Sequence, residues 1–204
     1  MLEAANLECV RGSRTLFRGV GFSLAPGALL RVTGSNGSGK TSLTRMLCGL
    51  LEPAAGEVRW KGENIRALRE EFCEHLLYIG HANALKDDLT ATENLAFSCG
   101  IAGLTVPRER AHAALERFGL AEGERLPVRA LSQGQRRRAA LARLAVGEAQ
   151  PLWILDEPFA ALDAAGIDLV QSLASDHLAR GGMVVLTTHQ DARINAPSVT
   201  DINL

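Results

Sequence analysis

The chain has 204 residues and a formal net charge of -1. That length suits one large domain or one domain with a subdomain, and the balanced charge leaves no electrostatic footprint for a general DNA or RNA binder. Cys9, Cys48, Cys73 and Cys99 are scattered, with no C-x-x-C pair and no haem-attachment motif, so small buried apolar positions in a reducing compartment are expected rather than a disulfide framework. The amino-terminal stretch has no basic region followed by an apolar core, and no run approaches ~18 consecutive apolar residues, so neither secretion nor a membrane span is expected.

In chain order, the pattern is strand-like from Leu2 to Val10 and from Gly21 to Ala25, with Pro26-Gly27 turning into the apolar run Leu29 to Thr33. Gly34-Ser35-Asn36-Gly37-Ser38-Gly39-Lys40-Thr41 follows, with the Walker A spacing of two glycines, Lys and a hydroxyl residue. Glycines let successive backbone N–H groups turn toward one anion at a helix start. In such a phosphate cradle Lys40 holds the β- and γ-phosphates and Thr41 ligates magnesium. Leu43, Met46, Leu47 and Leu50 then fall on one helical face, with Pro53 beyond.

Glu57 to Trp60 reads as a strand with a turn at residues 61–64, which suggests an antiparallel layer beside a parallel core. Leu76 to Ile79 is a strand running into a more polar segment. Helices are expected from Thr92 to Ile101, capped by Thr90 or Thr92, and from Arg108 to Phe118, opened by Pro107. Leu131-Ser132-Gln133-Gly134-Gln135 precedes a helix from about Arg136 to Val146. There the Ser132 hydroxyl and the Gly134 N–H can donate to a phosphate oxygen. Arg136-Arg137-Arg138 is read as a solvated face, and Cys73-Glu74-His75 is too short a set to hold a metal.

Leu152 to Pro158 is an unbroken apolar run ending in Asp156 and Glu157, as in a strand buried on both faces. Open parallel sheets place ligands at the carboxyl ends of their strands. Asp156 is therefore a candidate magnesium ligand, and Glu157 a candidate general base for an attacking water. A helix from Ile167 to Arg180 and a buried strand from Met183 to Thr188, closing at His189, complete the pattern.

Taken in order, Gly34 to Thr41, Leu131 to Gln135, Leu155 to Pro158, Leu162-Asp163 and His189 resemble the Walker A, signature, Walker B, D-loop and switch-histidine motifs of ABC ATPases. The resemblance spans nearly the whole chain. It implies a P-loop α/β fold of ABC ATPase type over residues 1–204, with a mainly parallel core sheet flanked by helices, an antiparallel β subdomain and a helical subdomain at about 82–150. It also implies binding of ATP with Mg2+ and a head-to-tail homodimer on ATP binding. Ser132 and Gly134 of one subunit would complete the site built by Lys40, Thr41, Asp156 and Glu157 of the other. His189 would contact the γ-phosphate, and Asp163 would lie across the dimer seam.

Three positions depart from the family pattern. The adenine-stacking aromatic is replaced near Arg11 and Gly12, so a guanidinium plane at Arg11 or Arg14 is the candidate there. The Q-loop glutamine, a magnesium contact, falls at His81. Gln133 takes the place of the first signature glycine, where ordinary backbone is expected. Within the family, Tyr78 to His81, Leu89 to Leu95, Leu152 to Phe159 and Leu186 to Gln190 look like the small ATP-binding subunits of bacterial haem-export systems of cytochrome c maturation. This implies integral membrane partners in the same complex, which would dock near His81 to Leu95. The subunit itself would sit peripherally on the cytoplasmic face of the inner membrane, with no nucleic acid. The short stretch beyond His189 is expected to leave no room for a regulatory domain. Another small ABC exporter and, further off, a soluble non-transport ABC ATPase or a P-loop kinase are the competing classes.

Overall fold

The computed structural model describes residues 1–121, 126–190 and 192–204. Strands β1 (Leu2–Arg11) and β2 (Arg14–Leu24) pair antiparallel. β2 is longer than the 21–25 run expected of it. It is an edge strand whose exposed Arg14, Arg18, Gly19 and Gly21 break the alternation, while Phe17 and Leu24 still face the core. β3 (Ala28–Thr33) feeds the glycine-rich turn and α1 (Lys40–Leu47). β4 (Ala55–Trp60) and the two-residue β5 (Glu63–Asn64) complete a four-stranded antiparallel sheet in the order β2-β1-β4-β5.

Next come α2 (Ile65–Leu68) and α3 (Glu70–Glu74), each too short to show a helical period in sequence, and then β6 (Leu76–Ile79). A helical layer follows: α4 (Ala91–Ile101), α5 (Arg108–Arg117), a 3-10 turn at Val128–Ala130, and α6 (Gln133–Leu141) running on as a 3-10 turn over Ala142–Ala145. The expected 82–150 subdomain includes residues 122–125, which lie outside the described residues. The chain continues through β7 (Leu152–Asp156), α7 (Ala164–Ala179), β8 (Met183–Thr187) and β9 (Ser198–Asn203).

β6, β7, β8, β3 and β9 lie side by side in that order, every pairing parallel. β7 and β8 are buried at every residue, which their unbroken apolar runs foretell. β9 lies outside the expected strands because its Ser-Val-Thr-Asp-Ile-Asn sequence is that of a solvated edge. It joins β3 along six residues and is clasped by the forked pair Arg31–Asp201, at 2.6 and 3.1 Å.

Helix ends follow capping chemistry. Thr90 and Glu93 form a reciprocal capping box on α4, and Ser132 with Gln135 does the same on α6. That box starts α6 at Gln133, three residues ahead of the expected Arg136. Asp163 caps α7 by accepting from the Gly166 N–H at 3.0 Å, so α7 also begins three residues early. α1 stops at Leu47, and Gly49, at φ 73, leads the chain away. Leu50 consequently leaves the face formed by Leu43, Met46 and Leu47 and is 65% exposed, contrary to the helical spacing. Cys9, Cys48 and Cys99 are buried as expected; Cys73 is exposed, and all four thiols are free.

The parallel sheet divides two apolar cores. Leu30, Val32, Leu152 and Ile154 face α1 and the antiparallel sheet; Leu29, Trp153, Leu155 and Val184 face α7 and the helical layer. On the second side His177 lies flat on Trp153, ring centroids 4.0 Å apart and planes within 7° of parallel. It also covers Gly182 so closely that a Cβ there would stand 2.1 Å from Nε2. Burial pushes the imidazole down from 6.5 to about 4. The unfolded chain therefore takes up this proton near pH 6.5, well before the folded chain does, so the contribution to stability is complete above that pH and is lost as pH falls toward 4. Urea midpoints measured from about pH 7 down to pH 4.5 should fall, and His177→Gln should reduce the slope; an unchanged slope would place the titration on other groups.

Candidate active site

The glycine-rich turn is shaped by backbone that only glycine takes easily. Gly34 and Gly39 stand at φ 145 and φ 111, and an added Cβ would meet the Leu204 carbonyl oxygen at 2.6 Å and the Phe17 ring at 2.9 Å, respectively. Lys40, only 7% exposed at the start of α1, folds back so that Nζ donates to the Gly34 and Ser35 carbonyls at 2.9 and 3.1 Å. The Ser38 Oγ is buried without a hydrogen-bond partner. A cation held only by carbonyl dipoles, an unengaged hydroxyl and a helix N-terminus are the groups that an oligophosphate would recruit.

Two strands away, at the end of β7, Asp156 is completely buried. Its Oδ1 accepts from Thr187 Oγ1 at 2.7 Å, while Oδ2 has no partner. A buried carboxylate oxygen left in this state is costly unless something positive meets it. Among the described residues no group of three or more His, Cys, Asp and Glu gathers to hold a metal by itself, and His75, beside Cys73, instead packs against the Trp60 ring at 5.7 Å. One carboxylate, with a hydroxyl at Thr41 and the rest of the shell from phosphate and water, is the donor set that suits magnesium. The residues therefore fit the ion.

Glu157 bends the chain out of the strand in the left-handed region, at φ 48. Its N–H donates to Thr187 Oγ1 at 2.9 Å and to the Thr187 carbonyl at 3.2 Å. The side chain is turned toward His189, whose Nε2 lies 3.2 Å from Oε1; Oε1 accepts no aligned hydrogen bond. Thr187 thus locks both acids with a single hydroxyl. Nothing in the local sequence pattern marks Thr187 out; the pairing that sets it opposite Asp156 appears only in the folded sheet.

A cavity of about 480 Å³ has Arg11, Lys40, Thr41, His81, Glu157 and His189 in its wall, while the fully buried Asp156 lies behind that wall, next to Glu157 in the chain. Arg11 and His81 are exposed there, so a guanidinium plane and an imidazole both reach the space. Ser132, Gly134 and Asp163 do not line it. They are gathered elsewhere: a Cβ on Gly134 would meet the Ala161 carbonyl at 3.2 Å, and Arg138 pairs with Asp163 at 2.7 Å. The helix-capping bond from the Gly166 N–H, and after it the Arg138 pair, hold the Asp163 carboxyl below its usual range. Gln133 has ordinary helical backbone, as expected.

The arginine run is not a solvated face. Arg136 pairs with Asp87 and Arg138 with Asp163, while Arg137 is 3% exposed and reaches under the Asp156–Pro158 turn. Burial pulls its pKa down, with the Asp156 and Glu157 charges acting against that. On a helix, three consecutive side chains point in three directions, so a charge run cannot share one environment.

A nucleotide cradle, a buried carboxylate with a free oxygen and an adjoining Glu–His pair, all at the carboxyl edge of a parallel sheet, define a P-loop ATPase. Residues 17–160 match the ABC transporter family. Over all 204 residues the chain is 55% identical to the cytochrome c biogenesis ATP-binding export protein CcmA of Aromatoleum aromaticum, covering 95% of its length. It is 54% identical to the protein of the same name from Dechloromonas aromatica, covered in full. The solved dimeric structure of MJ0796, a bacterial ABC transporter cassette, is similar with a TM-score of 0.82 at 24% identity, over 100% of this chain and 94% of that one. The chain belongs to the ABC transporter family and, within it, groups with the cytochrome c biogenesis ATP-binding export proteins.

Thr187→Val keeps the shape of the side chain and removes both of its hydrogen bonds. It should lower stability by roughly 1–3 kcal/mol, the cost of stranding buried polar groups, and reduce ATP turnover with it. Denaturant titration alongside an ATPase assay checks this.

Proposed function

We propose that this chain is the ATP-hydrolysing subunit of an ABC complex for haem export in cytochrome c maturation, its turnover powering delivery of haem to, or release of, a periplasmic haem chaperone. The observation that supports it most is full-length identity above one half to relatives named for cytochrome c biogenesis export. In this reading residues 1–204 form one ABC ATPase domain with the helical layer as its subdomain. Gly34 to Thr41 wrap the phosphates and Lys40 trades the Gly34 and Ser35 carbonyls for phosphate oxygens. Thr41 and the free oxygen of Asp156 would hold magnesium, and His81, in the wall of the same cavity as Thr41, is the further candidate contact. The ion would supply positive charge over the transferring phosphoryl group. Glu157 takes the proton of the attacking water, and His189, 3.2 Å from that carboxylate, keeps it oriented. Arg11 stacks on the base.

Ser132, Gly134 and Asp163 lie outside the cavity that holds Glu157, which supports their service to a second copy across a head-to-tail homodimer. Among the described residues no helix is long and apolar enough to cross a membrane. Integral subunits of the same complex would therefore supply the membrane path and hold this subunit at the cytoplasmic face, docking near residues 81–95.

Glu157→Gln should leave ATP binding intact and slow hydrolysis by on the order of 10²–10⁴-fold. Placed in the host, it should abolish covalent haem staining of all c-type cytochromes with the chaperone still loaded; normal staining would remove the haem assignment and leave the ATPase. For the dimer, chains carrying Ser132→Arg mixed with chains carrying Lys40→Ala should keep one complete site per mixed pair. Equal loss in every combination would argue against shared sites.

A further inference from the structure

Arg137 is the buried cation that the ATPase reading leaves without a task. Its guanidinium donates in three directions: Nε to the Pro158 carbonyl at 3.3 Å, Nη2 to the Asp156 and Glu157 carbonyls at 3.2 and 2.8 Å, and Nη1 to the Gly80 carbonyl and Asn83 Oδ1 at 3.0 and 3.2 Å. The acceptors are four backbone carbonyls and one amide; no carboxylate is among them, and the nearby Asp156 and Glu157 charges offset only part of its desolvation. A well-packed apolar side chain is often no worse for stability than a buried charge, so packing alone does not account for an arginine. Its fork instead satisfies three successive carbonyls, those of residues 156–158, where β7 ends and the chain turns left-handed at Glu157. A non-glycine residue in that region persists only where its surroundings hold it.

We propose that Arg137 is a positioning residue for ATP hydrolysis. It clamps the Asp156–Pro158 turn, and with it the direction of the Glu157 carboxylate, to helix α6 and to the segment at residues 80–83 that carries His81. This rests on the assignment of Glu157 as general base. It adds that the helix opened by Ser132 and Gly134 is bonded, through one side chain, to the catalytic turn of its own chain. In the head-to-tail dimer, the helix that touches one nucleotide and the base that acts on the other would then be joined by a rigid planar fork rather than by loop backbone.

The test uses the full chain in its membrane complex, with Arg137→Met and Arg137→Lys. Arg137→Met should retain a cooperative melt and bind a non-hydrolysable ATP analogue nearly as tightly as the native chain, with kcat down on the order of 10-fold or more and KM little changed, the pattern of an interaction needed in the transition state alone. Arg137→Lys, which keeps the charge and part of the donor set, should recover a fraction of that loss. Turnover per folded complex equal to native in Arg137→Met overturns the proposal. So does loss of analogue binding in step with kcat, or failure of both variants to fold, since a merely structural cation behaves in those ways. If the native complex itself hydrolyses no ATP, the ATPase reading falls first; if native hydrolyses and Arg137→Met matches it, only the clamp falls.

Discussion

Thr187 Oγ1 donates to the Asp156 carboxylate and accepts from the Glu157 amide, and much of the molecule is arranged so that this hydroxyl can do both. The parallel register of β7 on β8 puts Thr187 directly opposite Asp156, and burial of both strands keeps water from competing. In a parallel sheet the carboxyl ends all point one way, so the loop after β3, the acids after β7 and the histidine after β8 reach one edge without any long excursion. The Glu157 turn is the locally unfavourable element. It is offset by hydrogen bonds from two sides, Thr187 beneath and Arg137 above.

The cradle side and the helical side are built on opposite faces of the sheet. α1 packs with the antiparallel sheet on one face; α4, α5, α6 and α7 pack on the other, and the two apolar cores share no buried residue. The two sides meet again at the strand ends, where Arg137 bonds both Asn83 and the Asp156–Pro158 turn. The nucleotide grip and the helical layer are otherwise kept on opposite faces of one sheet.

Much of this was legible in sequence where chemistry and local structure coincide in one contiguous run. Gly34 to Thr41 announces its own turn and helix, and Leu152 to Glu157 announces a buried strand with acids at its end. The cap at Ser132 was legible as chemistry but not as a boundary, because its capping partner Gln135 was read as part of the loop. β9 was illegible because an edge strand needs only one apolar face, and its hold on β3 comes from an arginine 170 residues away in sequence. Arg137 was hidden by its neighbours. Which of three adjacent arginines turns inward is decided by what lies above the helix, and that is tertiary information. Thr187 was visible as a residue, yet its double role exists only across the β7–β8 pairing.

The stack of His177 on Trp153 gives the molecule an optical property of its own. Only two tryptophans are present, Trp60 under the antiparallel sheet and Trp153 in the parallel one, and only Trp153 lies face to face with an imidazole. A protonated imidazole withdraws light from an excited indole far more efficiently than a neutral one. The emission of Trp153 is therefore coupled to the charge on His177 of α7, so the unlabelled protein carries its own optical reporter of one buried proton.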